Sequence, residues 1–203
     1  MRHVFIEDYL FGEDLKINLL GLKKECREIE TLILKNAKPI DTPKKIHYDL
    51  KTTSLYSQYN VFTYSGSTIQ SLYKKIKQSV TPFLSDRNDY MIQAWLNIYH
   101  KNQSIGWHRH YPAVAKTWHG FFCVSTEDTP SFTYYKICPA ETEYKVISRD
   151  NLLVFGKSEN DIHCTSTWTS EKPRITIAFD IIPIKYLYNS PADRVQINHF
   201  LPF

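Results

Sequence analysis

What this sequence lacks narrows its class first. Its four cysteines, Cys26, Cys123, Cys138 and Cys164, form no CxxC pair, and their spacing suits neither a zinc ribbon nor a disulfide framework. That usage fits a reducing cytoplasm. No apolar run approaches the roughly 18 residues of a spanning helix. Met1-Arg2-His3 leads into a mixed polar stretch and not into the apolar centre of a signal peptide, so the expectation is a cytoplasmic protein with no membrane partner. Basic side chains number 25 against 21 acidic, a net charge of +4, and they form no dense block. The balance predicts solubility and argues against a nucleic-acid partner. Internal repeats, low-complexity segments and a convincing linker are also missing. A chain of 203 residues can bury a substantial core, and the expectation is one domain over 1–203. Within it, 1–89 is read as a helical and strand support region, 90–183 as the core and 184–203 as a tail that docks as coil.

Tyrosine is abundant, at 14 residues, and favours strands and half-wet surfaces. His3 to Leu10 reads as a first strand, and helical character follows Gly12. Leu15, Leu19, Leu22, Cys26, Ile29 and Ile33 recur at steps of four and three, one apolar face suited to covering a sheet. Residues 36–66 lack a sustained period, and short strands are expected at 45–50 and 60–64. Ser67 is placed to cap a second helix, whose stripe is Ile69, Leu72, Tyr73, Ile76 and Val80 before Pro82 stops it. From Tyr90 the texture becomes short β-prone runs at 91–100, 119–125, 131–136, 144–147, 151–155 and 174–182. Such runs, broken by Pro, Gly and Asp, predict an α+β jelly roll with amphipathic helices packed on one sheet.

The chemistry centres on Gly106-Trp107-His108-Arg109-His110-Tyr111-Pro112. In an extended segment residues two apart share a face, so His108 and His110 can converge on one ion while Arg109 looks away. His163, read as delivered by the loop after the buried run Asp150 to Gly156, is the candidate third ligand. Neutral imidazoles suit iron, zinc, copper or nickel, and three of them leave positions open for water and substrate. Arg174 heads Arg174-Ile175-Thr176-Ile177-Ala178-Phe179-Asp180. Alternation puts Arg174, Thr176 and Ala178 on one face, where a buried guanidinium needs an anion: the carboxylate of a ligand, or Asp180 as a structural partner. Trp95, Asn97 and Tyr99 also alternate. They line the cavity if that face looks inward, and face solvent if it does not.

Across residues 90–183 these features resemble the iron(II)- and 2-oxoglutarate-dependent oxygenases, in particular a branch from marine phages and bacteria. His108, His110, His163 and Arg174 fall on the pattern of a histidine, a second ligand two residues on, a distal histidine and an arginine beyond it. Arg174 and Thr176 resemble the Arg-x-Ser pair that grips the distal carboxylate of 2-oxoglutarate, and Trp118 to Phe122 resembles the strand after the first motif. The chain departs from the family at His110, which stands where Asp or Glu is usual. The resemblance implies a double-stranded β-helix and metal held by His108, His110 and His163. It also implies 2-oxoglutarate bound by Arg174 and Thr176 with Asn97 and Tyr99 nearby, and ascorbate as a candidate accessory reductant. The activity implied is hydroxylation of a small-molecule or peptide substrate, with 2-oxoglutarate decarboxylated to succinate. His119 is expected behind the ligands or against substrate, and Trp107, Tyr111, Trp118 and Trp168 are candidates for the substrate entrance. Two other classes share the residues. One is a cupin-like three-histidine metalloenzyme without a keto acid, whose glycine and glutamate spacing the chain matches poorly. The other is a non-catalytic jelly roll, a binding or virion component.

Overall fold

The computed structural model describes residues 2–36, 56–85, 89–127, 129–138, 142–159, 161–189 and 200–203. Ten strands run β1 Arg2–Ile6, β2 Leu10–Asp14, β3 Tyr90–Tyr99, β4 Trp118–Ser125, β5 Phe132–Ile137, β6 Glu143–Ile147, β7 Leu152–Lys157, β8 Asp161–Thr165, β9 Arg174–Pro183 and β10 Leu201–Pro202. Among the described residues three α-helices accompany them, α1 Leu19–Asn36, α2 Ser67–Val80 and α3 Ile184–Asn189. A seven-stranded sheet has the order β1-β2-β7-β4-β9-β3-β10, and a three-stranded sheet has the order β6-β5-β8. His108 bridges antiparallel to His163 and extends the small sheet by one short segment. From β3 onward the chain passes back and forth between the two sheets. This is the double-stranded β-helix form of the jelly roll, with β1, β2 and β10 added at the edges of the larger sheet.

Alternation along the strands divides the interior into two. On one face of the large sheet Ile92, Ala94, Leu96 and Ile98 of β3 join Phe122 of β4 and Ile175, Ile177 and Phe179 of β9. Leu22, Cys26, Ile29 and Ile33 of α1 and Ile69, Leu72, Ile76 and Val80 of α2 cover that face. The other face looks toward the small sheet. It carries Trp95, Asn97 and Tyr99 of β3, His119 and Phe121 of β4, and Arg174, Thr176, Ala178 and Asp180 of β9 around a cavity. The helices are fixed by polar contacts that periodicity does not reveal. Asn18 accepts the Gly21 N–H at 3.2 Å and starts α1. Ser67 is the first residue of α2 and Gly66 its cap, not Ser67 as the sequence suggested. Glu25 of α1 supplies the missing acceptor, taking the N–H groups of Thr68 at 3.1 Å and Ile69 at 2.7 Å. A carboxylate there also complements the positive end of the helix.

Several local expectations are corrected. The first strand is a hairpin, because Asp8 adopts a left-handed φ of 60° and turns the chain between β1 and β2. Helical structure consequently begins at Leu19. Leu15 is buried in the extended segment before it, where its N–H donates to the Asn151 carbonyl at 2.9 Å. The strand expected at 60–64 is a short 3-10 turn over Val61–Thr63, pinned by the Asn60 side chain, which accepts from Phe62 and Ala94 and donates to Ile92. His163 is not in a loop after β7 but on a strand of its own, β8. The tail is not all coil, since it contains α3 and a strand, β10, paired with β3. The strand expected at 45–50 lies outside the described residues, and so does His199. All four cysteines are free, and no helix of the described residues is long and apolar enough to cross a membrane.

Candidate metal centre

Four imidazoles meet at one end of the cavity. His108 and His163 are joined by reciprocal backbone hydrogen bonds of 3.0 Å, which puts their rings 4.3 Å apart, centre to centre. His110, two residues on, stands 5.4 Å from His108 and 5.0 Å from His163, while Arg109 between them is exposed. One nitrogen from each of His108, His110 and His163 lies within 4.8 Å of the others, a spacing a single metal ion can bridge. The remaining nitrogens are held from behind. His108 Nδ1 lies 2.9 Å from the Gly106 carbonyl, His110 Nδ1 2.6 Å from Asp180 and His163 Nδ1 3.3 Å from Asp161. Anchoring Nδ1 leaves Nε2 as the nitrogen each ring would turn to an ion.

In a second group, His119, Asp161 and His163, one nitrogen or oxygen from each also lies within 4.8 Å of the others. Its bonding is different, because one oxygen, Asp161 Oδ2, faces both His119 Nε2 at 3.0 Å and His163 Nδ1 at 3.3 Å. Burial pushes His119 down, but the charge and hydrogen bond of Asp161, with the charge of Asp180, outweigh it and the pKa is raised. That bond engages His119 Nε2 with Asp161. Asp161 itself stays well below the usual carboxylate range, since the attraction of His119 and the two hydrogen bonds overcome its own burial. The trio of His108, His110 and His163 behaves otherwise. Burial and the neighbouring His110 lower His108 to about 4, and burial holds His163 well below its ordinary value. Both are neutral near pH 7, as ligation requires.

At the other end of the cavity sits Arg174, 2% exposed. Its Nη2 donates to Ser148 Oγ at 3.3 Å, its Cζ lies 5.7 Å from the Tyr99 ring centre, and its buried Nε has no partner among the described residues. No carboxylate among the described residues pairs with it. Asp180, weighed from the sequence as its structural partner, bonds His110 instead. The β3–β9 register sets Tyr99 opposite Arg174, Asn97 opposite Thr176 and Trp95 opposite Ala178, and all six line the cavity. Its volume of about 460 Å³ falls in the range of small-ligand sites. The buried Trp95 Nε1, beside His110, also lacks a partner among the described residues. Of the four aromatic residues expected at the entrance, Tyr111 lines the cavity. Trp107 is exposed beneath Lys136, Trp118 packs on the helix side, and Trp168 is buried with Tyr99 and Ile105. Sequence reasoning missed Asp161. Its signal was its spacing of two from His163, which puts both on one face of a strand.

The double-stranded β-helix is shared with solved structures. The non-heme alpha ketoglutarate dependent carbocyclase SnoK from nogalamycin biosynthesis matches with a TM-score of 0.63 at 10% identity, over 98% of this chain and 93% of that one. A prolyl hydroxylase from Trichoplax adhaerens, solved with a hypoxia inducible factor peptide fragment, matches at 0.58 and 9% identity, over 91% and 88%. AviO1 from Streptomyces viridochromogenes matches at 0.58 and 13% identity, over 86% and 90%. At these identities the shared property is the fold. No protein-family model and no curated protein sequence matches the chain.

Proposed function

We propose that this chain is an iron(II)- and 2-oxoglutarate-dependent oxygenase that hydroxylates a small-molecule or peptide substrate and converts 2-oxoglutarate to succinate. The observation that carries the reading is Arg174: a guanidinium 2% exposed, without a carboxylate partner among the described residues, in the same cavity as three imidazoles whose Nδ1 atoms are all engaged. A dianion with a chelating end and a distal carboxylate answers both halves of that arrangement. His108, His110 and His163 would hold the ion, and Arg174 with Thr176 would grip the distal carboxylate, with Asn97 and Tyr99 beside it. Iron, when bound, would activate oxygen, with two of the electrons that reduce it coming from 2-oxoglutarate as it is decarboxylated to succinate and two from the substrate C–H bond. The chain's residues orient and exclude. The arginine fork fixes the cosubstrate's direction, the anchored imidazoles keep their ligating nitrogens converged, and the walls of Trp95, Phe121 and Tyr135 restrict water.

Purified protein given iron(II), 2-oxoglutarate, ascorbate and oxygen should bind one iron per chain and form succinate. Stoichiometric iron without succinate would favour the cupin-like reading, and no stoichiometric metal would favour a binding module. His163→Ala should lose stable metal. Unchanged metal content in that variant removes His163 from the ligand set.

A further inference from the structure

Three neutral imidazoles bring a divalent ion no negative charge, whereas the usual two-histidine, one-carboxylate set brings one. A carboxylate nevertheless stands directly behind the ligand that departs from that pattern. His110 Nδ1 and Asp180 Oδ1 lie 2.6 Å apart, with side chains 10% and 7% exposed. That is the short separation of a charge-assisted bond, and burial keeps the carboxylate's field from being screened by water. Asp180 faces the cavity from β9, on the strand face that also carries Arg174, and His110 is its hydrogen-bond partner among the described residues. The other inward carboxylate, Asp161, is shared between His119 and His163. Among the described residues Asp180 thus accepts its hydrogen bond from His110, while its charge also reaches His119 and Tyr111.

We propose that His110 and Asp180 act together as one anionic ligand, the carboxylate on β9 supplying through the imidazole the negative charge that an acid at position 110 would have supplied directly. This rests on the reading that His110 ligates a divalent metal. A carboxylate accepting the Nδ1–H of an imidazole makes Nε2 a stronger donor and fixes the ring's direction. Asp180 is in these terms a positioning residue that also carries charge. An acid at 110 and an acid at 180 become alternative answers to one requirement. Having both is unfavourable, because His110→Asp alone would face one buried carboxylate with another. The usual ligand set is then recovered only when Asp180 is neutralised in the same chain.

The test uses Co(II) on the intact chain, with affinity from competition against a chelator and ligation from the visible absorption of the bound ion. Wild type should bind one Co(II). In Asp180→Asn the amide oxygen still accepts from Nδ1, so a role in orientation alone predicts wild-type affinity. The charge role predicts affinity weaker by about 10 to 100 fold, with a shifted absorption spectrum. His110→Asp should also bind weakly, and His110→Asp combined with Asp180→Asn should recover most of the loss. If Asp180→Asn does not fold, as judged by circular dichroism, the comparison of His110→Asp with the double variant decides. Wild-type affinity in Asp180→Asn, or a double variant no better than His110→Asp alone, overturns the proposal while leaving the metal centre standing. Absence of Co(II) binding in wild type overturns the metal-centre reading and the proposal together.

Discussion

Replacing Arg174 by methionine separates a ligand-binding cation from a structural one. Among the described residues this guanidinium, 2% exposed, makes one hydrogen bond of 3.3 Å to Ser148 and leaves Nε without a partner. Withdrawing such an ion from water carries a penalty of several kcal/mol, which a single long hydrogen bond and the Tyr99 ring only partly offset. Methionine fills a similar volume with no charge to desolvate. The metal-substituted, cosubstrate-free variant should therefore be as stable as wild type or more stable by about 1–2 kcal/mol, a rise of about 2–8 °C for a chain of this size. The response to 2-oxoglutarate should reverse the order. At about 100 times its dissociation constant the cosubstrate adds about 2.7 kcal/mol to a protein that binds it, and it should add nothing to Arg174→Met. Urea denaturation of zinc-loaded protein with and without 2-oxoglutarate measures both. Loss of about 3–5 kcal/mol in the ligand-free variant, as when one member of a buried ion pair is removed, would refute the reasoning and make Arg174 a scaffold residue.

Arg174→Lys keeps the charge and loses the fork, so 2-oxoglutarate affinity should fall by about tenfold or more while the circular dichroism spectrum is unchanged; calorimetric titration checks it. Gly120→Ala should destabilise by about 1–3 kcal/mol, because a Cβ there meets the Val154 carbonyl oxygen and comes within 2.6 Å of the Phe179 ring. A melting temperature equal to wild type would show that β4 and β7 can separate at no cost. Glu25→Ala should lower stability by about 1–2 kcal/mol by leaving the first N–H groups of α2 without an acceptor, read from the urea midpoint. Metal-free stability should also depend on pH. His108, lowered to about 4 by burial and by His110, and His163, lowered well below its ordinary value by burial, are neutral when folded but take up protons near the ordinary value of 6.5 when unfolded. Their contribution is complete above that value and is lost as pH falls toward about 4. A urea midpoint that does not move across that window would mean these rings are open to solvent.

Much of the fold was legible because its apolar periods are long. The stripe of α1 and the alternating runs of β3, β4 and β9 face one core, and their spacing states it directly. What escaped was written in polar residues. β8 reads Asp161-Ile162-His163-Cys164-Thr165, with its inward positions taken by an acid and an imidazole, so the site itself erased the apolar pattern that marks a strand. The hairpin of β1 and β2 escaped for another reason. The described residues with positive φ are Asp8, Asn102, Lys116, Glu127 and Asn151, and no glycine is among them. A chain with 6 glycines in 203 residues turns without the usual punctuation. At the centre, the common face of His108 and His110 and that of Arg174 and Thr176 followed from alternation, whereas His163 was a candidate third ligand on a run that did not read as a strand. The destination of Asp180 did not follow, because alternation gives a residue's face and not the partner it meets across the cavity.

The backbone pair between His108 and His163 has a mechanical consequence. Residues around His108 are attached to β8 by a thin fringe of bonds, including the two reciprocal ones of 3.0 Å and the Thr165 to Ile105 bond of 3.0 Å. An ion held, as proposed, by side chains on both sides of that fringe would work as a rivet, since the segment could not peel from the small sheet without surrendering a ligand. Exchange of the two histidine amides with deuterium would then slow whenever the rivet is in place, an occupancy gauge that needs neither a colour nor a turnover.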